Sequence, residues 1–247
     1  MAYTIRPICN GQCKVNGYYT FYQGDREALH VFPLTVWLIE GRPRPILVDA
    51  GLGDVGRMNR DAGHVLAEPI VQRPDQDIRA QLSRFGYQPD DIGKVILTHL
   101  HFDHVDQLGL FNKAEIVVSK RGLEGARSAS SSWAPDETME ILTGSGANRV
   151  VAMDDARVEA GIEVAWMGGH TPCSQAVYVN TNAGEFALAG DAVFRADQIE
   201  SKIPIGIYSD LEEARRAIDK LAERGATVLP SHDPMVYDRY PEGVIGV

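Results

Sequence analysis

The stretch Thr98-His99-Leu100-His101-Phe102-Asp103-His104 constrains this chain more than any other feature. Four metal-capable side chains fall within six residues, directly behind the apolar run Val95-Ile96-Leu97. His99 and His101 are two apart, so at a strand end or in an extended loop they point the same way. Asp103 and His104 then need a turn of the backbone, which sets a second group of ligands beside the first. Neutral imidazole nitrogens with carboxylate oxygens suit zinc, with iron, manganese or cobalt as substitutes. Of the seven histidines in the chain, three sit here, which argues against a scatter of unrelated surface groups.

Four more polar residues repeat one arrangement. Asp49 ends Pro45-Ile46-Leu47-Val48-Asp49, and His170 follows the alternating run Ile162-Glu163-Val164-Ala165-Trp166. Asp191 ends Phe186-Ala187-Leu188-Ala189-Gly190-Asp191, and His232 follows Thr227-Val228-Leu229-Pro230-Ser231. Each comes just after an apolar run of strand length. Strands can be buried while their ends open onto a shared rim, so this repetition predicts one constructed site.

In this order, Asp49, His-x-His-x-Asp-His at 99–104, His170, Asp191 and His232 resemble the metallo-β-lactamase-fold hydrolases, from about Val31 to His232. The resemblance implies an α+β fold, a four-layer αβ/βα sandwich with a two-metal site at one edge. It implies that His99, His101 and His170 hold one metal ion, that Asp103, His104 and His232 hold a second, and that Asp191 bridges them. The implied cofactors are two divalent ions, zinc by donor type. Asp49 would orient ligands by hydrogen bonding. The loop His170-Thr171-Pro172-Cys173-Ser174 departs from the His-x-Pro-Gly-His of many relatives, and that leaves the role of Cys173 open.

Within the family, residues 77–104, with Gly86-Tyr87-x-Pro89-x-Asp91-Ile92, and Val48-Asp49-Ala50-Gly51 resemble the N-acyl homoserine lactonases. That branch implies lactone opening by a hydroxide held between the metals. Asp103 would orient the hydroxide and pass a proton to the leaving alkoxide, and Asp191 would hold the metal spacing. Such lactonases usually carry a tyrosine three residues after the bridging Asp. Here that position is Phe194, so a phenol would have to come from elsewhere, with Tyr208 or Tyr22 as candidates. Trp133, in a loop near the metal edge, is a further candidate to contact substrate. Arg57, Arg195 and Lys202 are candidate anchors for an acidic group. A thioester or other carboxylic ester hydrolase of the glyoxalase-II type is the alternative, and a non-catalytic metal-binding scaffold is a third reading. Zinc β-lactamases commonly place a cysteine where Asp191 stands, and flavodiiron proteins a glutamate where His101 stands. No Gly-x-Ser-x-Gly elbow supports serine catalysis.

At 247 residues with 44% apolar composition, the chain is expected to fold as one domain, 1–247. No apolar run reaches the ~18 residues of a membrane span. Residues 1–7 lack the apolar core of a secretory signal, and three cysteines fit a reducing compartment, so a cytoplasmic location is expected. Cys9 and Cys13 read as two small buried or half-buried side chains. A formal charge of −10 offers no footprint for a phosphate backbone. The partner expected is a small-molecule substrate, with no nucleic acid and no membrane. The sequence leaves the oligomeric state open, a homodimer included.

Pattern reading predicts a hairpin of strands 31–40 and 45–49, a helix over 76–85, and strands at 95–98 and 115–119. Further strands are predicted at 149–153, 162–167, 176–180 and 185–189. A helix from Leu211 to Arg224 is predicted, with Asp210 and Glu213 as a capping arrangement, a Glu212–Arg216 pair and Gly225 as the stop. Segments 51–75 and 128–135 show no periodicity and read as loops beside the metal edge. His64 reads as an unremarkable surface or core histidine.

Overall fold

Val36 and Leu38 point to one side of their strand, Trp37 and Ile39 to the other, and all four are fully buried. A strand that is apolar on both faces has to be covered on both. The computed structural model, which describes residues 3–128, 135–144 and 147–247, shows how. One sheet contains β1 (Thr4–Asn16), β2 (Leu29–Glu40), β3 (Ile46–Val48), β4 (Leu66–Val71), β5 (Lys94–Ile96), β6 (Glu115–Val118) and β7 (Val150–Ala152). Its order among the described residues is β4-β1-β2-β3-β5-β6-β7, antiparallel up to β3 and parallel from there to β7. A second sheet contains β8 (Ala156–Glu159), β9 (Ile162–Trp166), β10 (Gln175–Thr181), β11 (Gly184–Gly190) and β12 (Thr227–Pro230), in the order β12-β11-β10-β9-β8.

The helices are α1 (Gly17–Thr20), α2 (Val55–Asp61), α3 (Ile78–Arg84), α4 (Phe102–Val105), α5 (Lys120–Ser128), α6 (Asp136–Thr143), α7 (Asp197–Ser201), α8 (Leu211–Arg224) and α9 (Met235–Arg239). Three packed cores account for the layering. Val36, Leu38, Val95 and Ile116 meet Ile78 and Leu82 of α3, Leu123 of α5 and Leu142 of α6. Trp37, Ile39, Val48, Ile96 and Val117 meet Val164, Val177, Val179 and Leu188 between the two sheets. Ala176, Ala187 and Ala189 on the outer face of the second sheet take Ala217, Ile218 and Leu221 of α8. Small alanines on that face let the helix lie close. The result is the four-layer αβ/βα sandwich.

The strongly patterned elements lie where the sequence places them, and α8 spans Leu211–Arg224. The Asp210 carboxylate accepts from the Glu213 N–H, and Gly225 closes the helix at φ 72°. Its surface pairs run one residue differently: Glu212 meets Arg215 and Glu213 meets Arg216. The pattern reading misses β1 and breaks segment 51–75 incorrectly. In β1, Asn10-Gly11-Gln12 interrupts the alternation and the pairing with β2 shifts register between Cys9 and Gln12. Segment 51–75 holds α2 and β4, and β4 is an edge strand that accommodates Pro69 and exposes Ala67 and Glu68. Trp133 and most of the 128–135 loop lie outside the described residues. Among the described residues no helix is long and apolar enough to cross a membrane.

Candidate metal centre

Strand ends supply the site. Asp49 follows β3, His99 follows β5, Asp191 follows β11 and His232 follows β12, so the two sheets open onto one rim. His101 caps α4, whose single turn brings Asp103 and His104 round to the same side. Gly190, at φ 53°, allows β11 to end hard against Thr98, where a β-carbon would lie 2.6 Å from Thr98 Cβ. His170 sits behind Gly168 and Gly169, both at positive φ, and Gly169 packs on the first turn of α8.

Seven side chains converge in two groups. His99 Nε2 and His170 Nε2 lie 3.1 and 2.9 Å from His101 Nδ1. Asp191 Oδ2 lies 3.6 Å from His99 Nε2 and 3.3 Å from His170 Nε2. On the other side, Asp191 Oδ1 lies 3.3 Å from His104 Nε2 and 3.0 Å from His232 Nε2. Asp103 Oδ2 completes that group at 3.4 and 3.7 Å from the same two nitrogens. Asp191 therefore turns one oxygen to each group. Within each group the donor atoms lie within 4.8 Å of one another.

Hydrogen bonds on the far side of each ring fix which nitrogen faces inward. His170 Nδ1–H donates to the Ile207 carbonyl at 2.7 Å, and His232 Nδ1–H donates to the Pro33 carbonyl at 3.0 Å. His104 Nδ1–H donates to Asp49 Oδ2 at 2.7 Å. The Thr98 hydroxyl donates to the same carboxylate at 2.9 Å and so accepts from His99 Nδ1–H at 3.1 Å. Four imidazoles thus aim Nε2 lone pairs into the centre. Asp49, 0% exposed, also accepts from the Thr98 N–H at 2.7 Å, so one carboxylate orients a ligand in each group.

The electrostatics call for positive charge. Burial, with other histidines nearby, holds His99 well below the ordinary imidazole value, His101 down at about 3, and His170 below the ordinary value. Burial also opposes charge on His104, but Asp103, Asp191 and Asp49 together outweigh it and raise that ring well above the ordinary value. Asp103 is held at about 2, its burial outweighed chiefly by His104 and then His232. His104 Nε2 and Asp191 Oδ1 are buried, face each other, and make no hydrogen bond. Converging lone pairs, orphaned buried donor atoms and three carboxylates around one imidazole fit a pair of divalent cations.

A cavity of about 370 Å³ rises from this floor. Its wall is mostly apolar, with Cys13, Val15, Phe32, Leu34, Met58, Val65, Ile70, Phe102, Phe194 and Ile207, and carries two polar groups, Asp61 and His64. Phe32 stacks on the His232 ring at 5.1 Å and 10°. Phe194 sits 5.7 Å from the His170 ring and 5.8 Å from the His232 ring. The Gln198 side-chain oxygen holds its loop through the Phe194 and Arg195 N–H groups. His64, from the segment read as irregular, stands in the cavity wall beside Asp61 and Ala62. Tyr208 is 41% exposed, packs on Tyr22 at 5.9 Å, and neither lines the cavity. The candidate anchors are engaged elsewhere: Arg57 with Asp106, Arg195 with Asp197, Lys202 with Asp219. Cys173 is buried, bonded to the Thr171 hydroxyl, and packed so tightly on Gly122 that a β-carbon there would overlap it. Sequence reasoning missed Thr98, Gln198 and the apolar wall, because alternation within a strand does not say which face meets a cavity.

Comparison with known proteins agrees with this geometry. The family profile described as the metallo-beta-lactamase superfamily matches residues 31–232. The N-acyl homoserine lactonase AiiA of Bacillus thuringiensis subsp. kurstaki is 28% identical over 210 residues, covering 83% of this chain and 80% of that protein. The N-acyl homoserine lactonase AttM of Rhizobium radiobacter is 26% identical over 183 residues, 67% of each chain. A B. thuringiensis AiiA variant, solved with N-decanoyl-L-homoserine at its active site, superposes with a TM-score of 0.81 at 24% identity. That match covers 97% of this chain and 96% of the other.

Proposed function

We propose that this chain, which belongs to the metallo-beta-lactamase superfamily, is a metal-dependent hydrolase that opens the ester of a neutral, apolar-tailed lactone. The observation that carries the reading is the division of Asp191 between two groups of inward-facing donors. His99, His101, His170 and Asp191 would hold one divalent ion, and Asp103, His104, His232 and Asp191 the other. Zinc is the ion these donors suit. Such a pair supplies an ionised water near neutral pH and polarises a carbonyl oxygen.

The chain's own residues supply the rest. Asp103 is ionised at neutral pH, its Oδ2 stands at the floor of the cavity, and it is the group to take up and pass on a proton during ring opening. Phe32, Phe102 and Phe194 exclude water from the reacting carbonyl, while Met58, Ile70 and Leu34 bed an acyl tail. Phe194 offers no hydroxyl, and among the described residues no tyrosine lines the cavity, so the leaving oxygen is served without a phenol.

The similarity to proteins named N-acyl homoserine lactonase supports an acyl homoserine lactone as the substrate, and a quorum-quenching role would follow from that chemistry. The alternative, a thioester hydrolase of the glyoxalase-II type, is disfavoured by the lining. Among the described residues it contains no Lys or Arg to pair with the carboxylates of a glutathione carrier. We further propose one domain over residues 1–247. Three free thiols support a reducing, cytoplasmic setting.

The test is metal content beside turnover. The purified protein should bind about two zinc ions per chain and hydrolyse acyl homoserine lactones. His101→Ala and Asp191→Ala should each lower bound metal and abolish hydrolysis, with circular dichroism close to wild type. Wild-type metal stoichiometry in both variants would overturn the ligand assignment. Hydrolysis of glutathione thioesters in preference to lactones would move the reading to the alternative.

A further inference from the structure

The cavity has a wall that is not part of the metal motif, and something has to hold it in place. That wall comes from α2 and the turn after it, which contribute Met58, Ala62 and Val65. The cavity is also lined by Phe102, in the same helical turn as Asp103 and His104.

Between the two lies a half-buried ion pair that no catalytic step requires. The Asp106 side chain, 7% exposed at the end of α4, meets the Arg57 guanidinium of α2. Its second oxygen accepts from the Asp54 N–H at 2.7 Å, and the Asp54 carboxylate in turn accepts from the Arg57 N–H and caps α2. Gly53 passes so close to Asp106 that any β-carbon there would overlap the carboxylate. Arg57 also reaches Glu137 of α6 at 3.5 Å and lies 6.0 Å from the Phe102 ring, and its Nε is buried without a hydrogen bond. Leaving a guanidinium nitrogen unpartnered is unfavourable, so the geometry is held by the other contacts of the network.

We propose that Arg57 and Asp106 are a positioning pair that sets substrate selectivity by pinning the α2 wall of the cavity to the metal-bearing turn. Asp106 is one helical turn beyond Asp103, so the pair ties the distance from Met58 to Phe102 to the position of the metal ligands. The part of the substrate that lies between those side chains is an apolar tail. Loosening α2 would remove tail contacts and leave the reacting end in place. This inference rests on the lactone reading above.

The variants are Arg57→Gln and Asp106→Asn, with Arg57→Lys as the conservative rescue. The readout is kcat/KM of the zinc-loaded enzyme on N-decanoyl and on N-butanoyl homoserine lactone. The decanoyl-to-butanoyl ratio should fall at least fivefold in Arg57→Gln and Asp106→Asn, mainly through KM on the decanoyl substrate, and Arg57→Lys should recover part of it. A second readout does not need turnover: amide hydrogen exchange over 55–62 should rise at least tenfold while 162–166 stays as in wild type. Equal losses on both lactones, an unchanged ratio, or unchanged exchange over 55–62 would overturn the proposal. If the wild-type protein opens neither lactone, the lactone reading fails, and the exchange result alone then decides whether the pair holds α2.

Discussion

Replacing Asp49 with Asn tests how much of the site depends on one carboxylate that touches no substrate. Asp49 is fully buried and accepts from the Thr98 N–H at 2.7 Å, the Thr98 hydroxyl at 2.9 Å and His104 Nδ1–H at 2.7 Å. Asparagine has one oxygen for these three donors. With that oxygen toward His104, its NH₂ group faces the Thr98 N–H, and an orphaned buried donor costs about 1–3 kcal/mol. The two remaining bonds lose their charge assistance, about 1 kcal/mol each. The total is about 4 kcal/mol. The backbone adds nothing, because Asp49 sits at φ 67°, a conformation asparagine also tolerates. Asp49→Ala, by contrast, would add about 1–2 kcal/mol of left-handed strain. Loosening His104, and His99 through Thr98, should also weaken metal binding by about 10–100-fold. Urea denaturation of the metal-free proteins and chelator competition of the loaded ones measure the two effects separately. Metal-free stability within about 1 kcal/mol of wild type, together with unchanged metal retention, would refute the claim that this carboxylate orients ligands in both groups.

Two other outcomes are expected. Phe194→Tyr puts a hydroxyl on a ring that lines the cavity beside His170 and His232, and it should raise kcat on acyl homoserine lactones by about tenfold, less than the ~10²–10³ of a purpose-built donor; an unchanged kcat would show that the missing phenol does not limit the reaction. Burial pushes the Cys13 and Cys173 thiols up to about 12, so at pH 8 an aromatic disulfide reagent should leave both unreacted in the native protein and titrate three thiols in denaturant. Because the folded state holds those protons more tightly, their contribution to stability is fully present below about pH 9 and is lost as the pH rises toward 12, so the denaturation midpoint should fall over that window. Rapid labelling of all three thiols in the folded protein would contradict the packing.

Much of the site was readable without coordinates because metal ligation tolerates few residue types. His99, His101, Asp103 and His104 announce themselves by type and spacing, and His170, Asp191 and His232 by their place after apolar runs. The same clarity holds for α8, where a capping aspartate, one apolar stripe and a terminal glycine agree. It fails for β1, whose pattern is broken at a register shift, and for β4, a mostly exposed edge strand containing a proline. In β1 the alternation changes phase at the break, and in β4 only Ile70 is buried, so neither keeps one buried face along its length.

Residue order alone therefore determined which donors exist and which kind of ion they suit, since that is a property of side-chain chemistry. Only the folded chain decided how the donors are shared. Asp191 serves both groups because Gly190 lets β11 end against Thr98, and Asp49 reaches ligands of both because it sits at a positive φ behind them. The cavity is likewise a tertiary result. Cys13, Phe32, Met58 and Phe194 come from four separated segments, and nothing local to any of them says that their apolar faces surround a space rather than fill one.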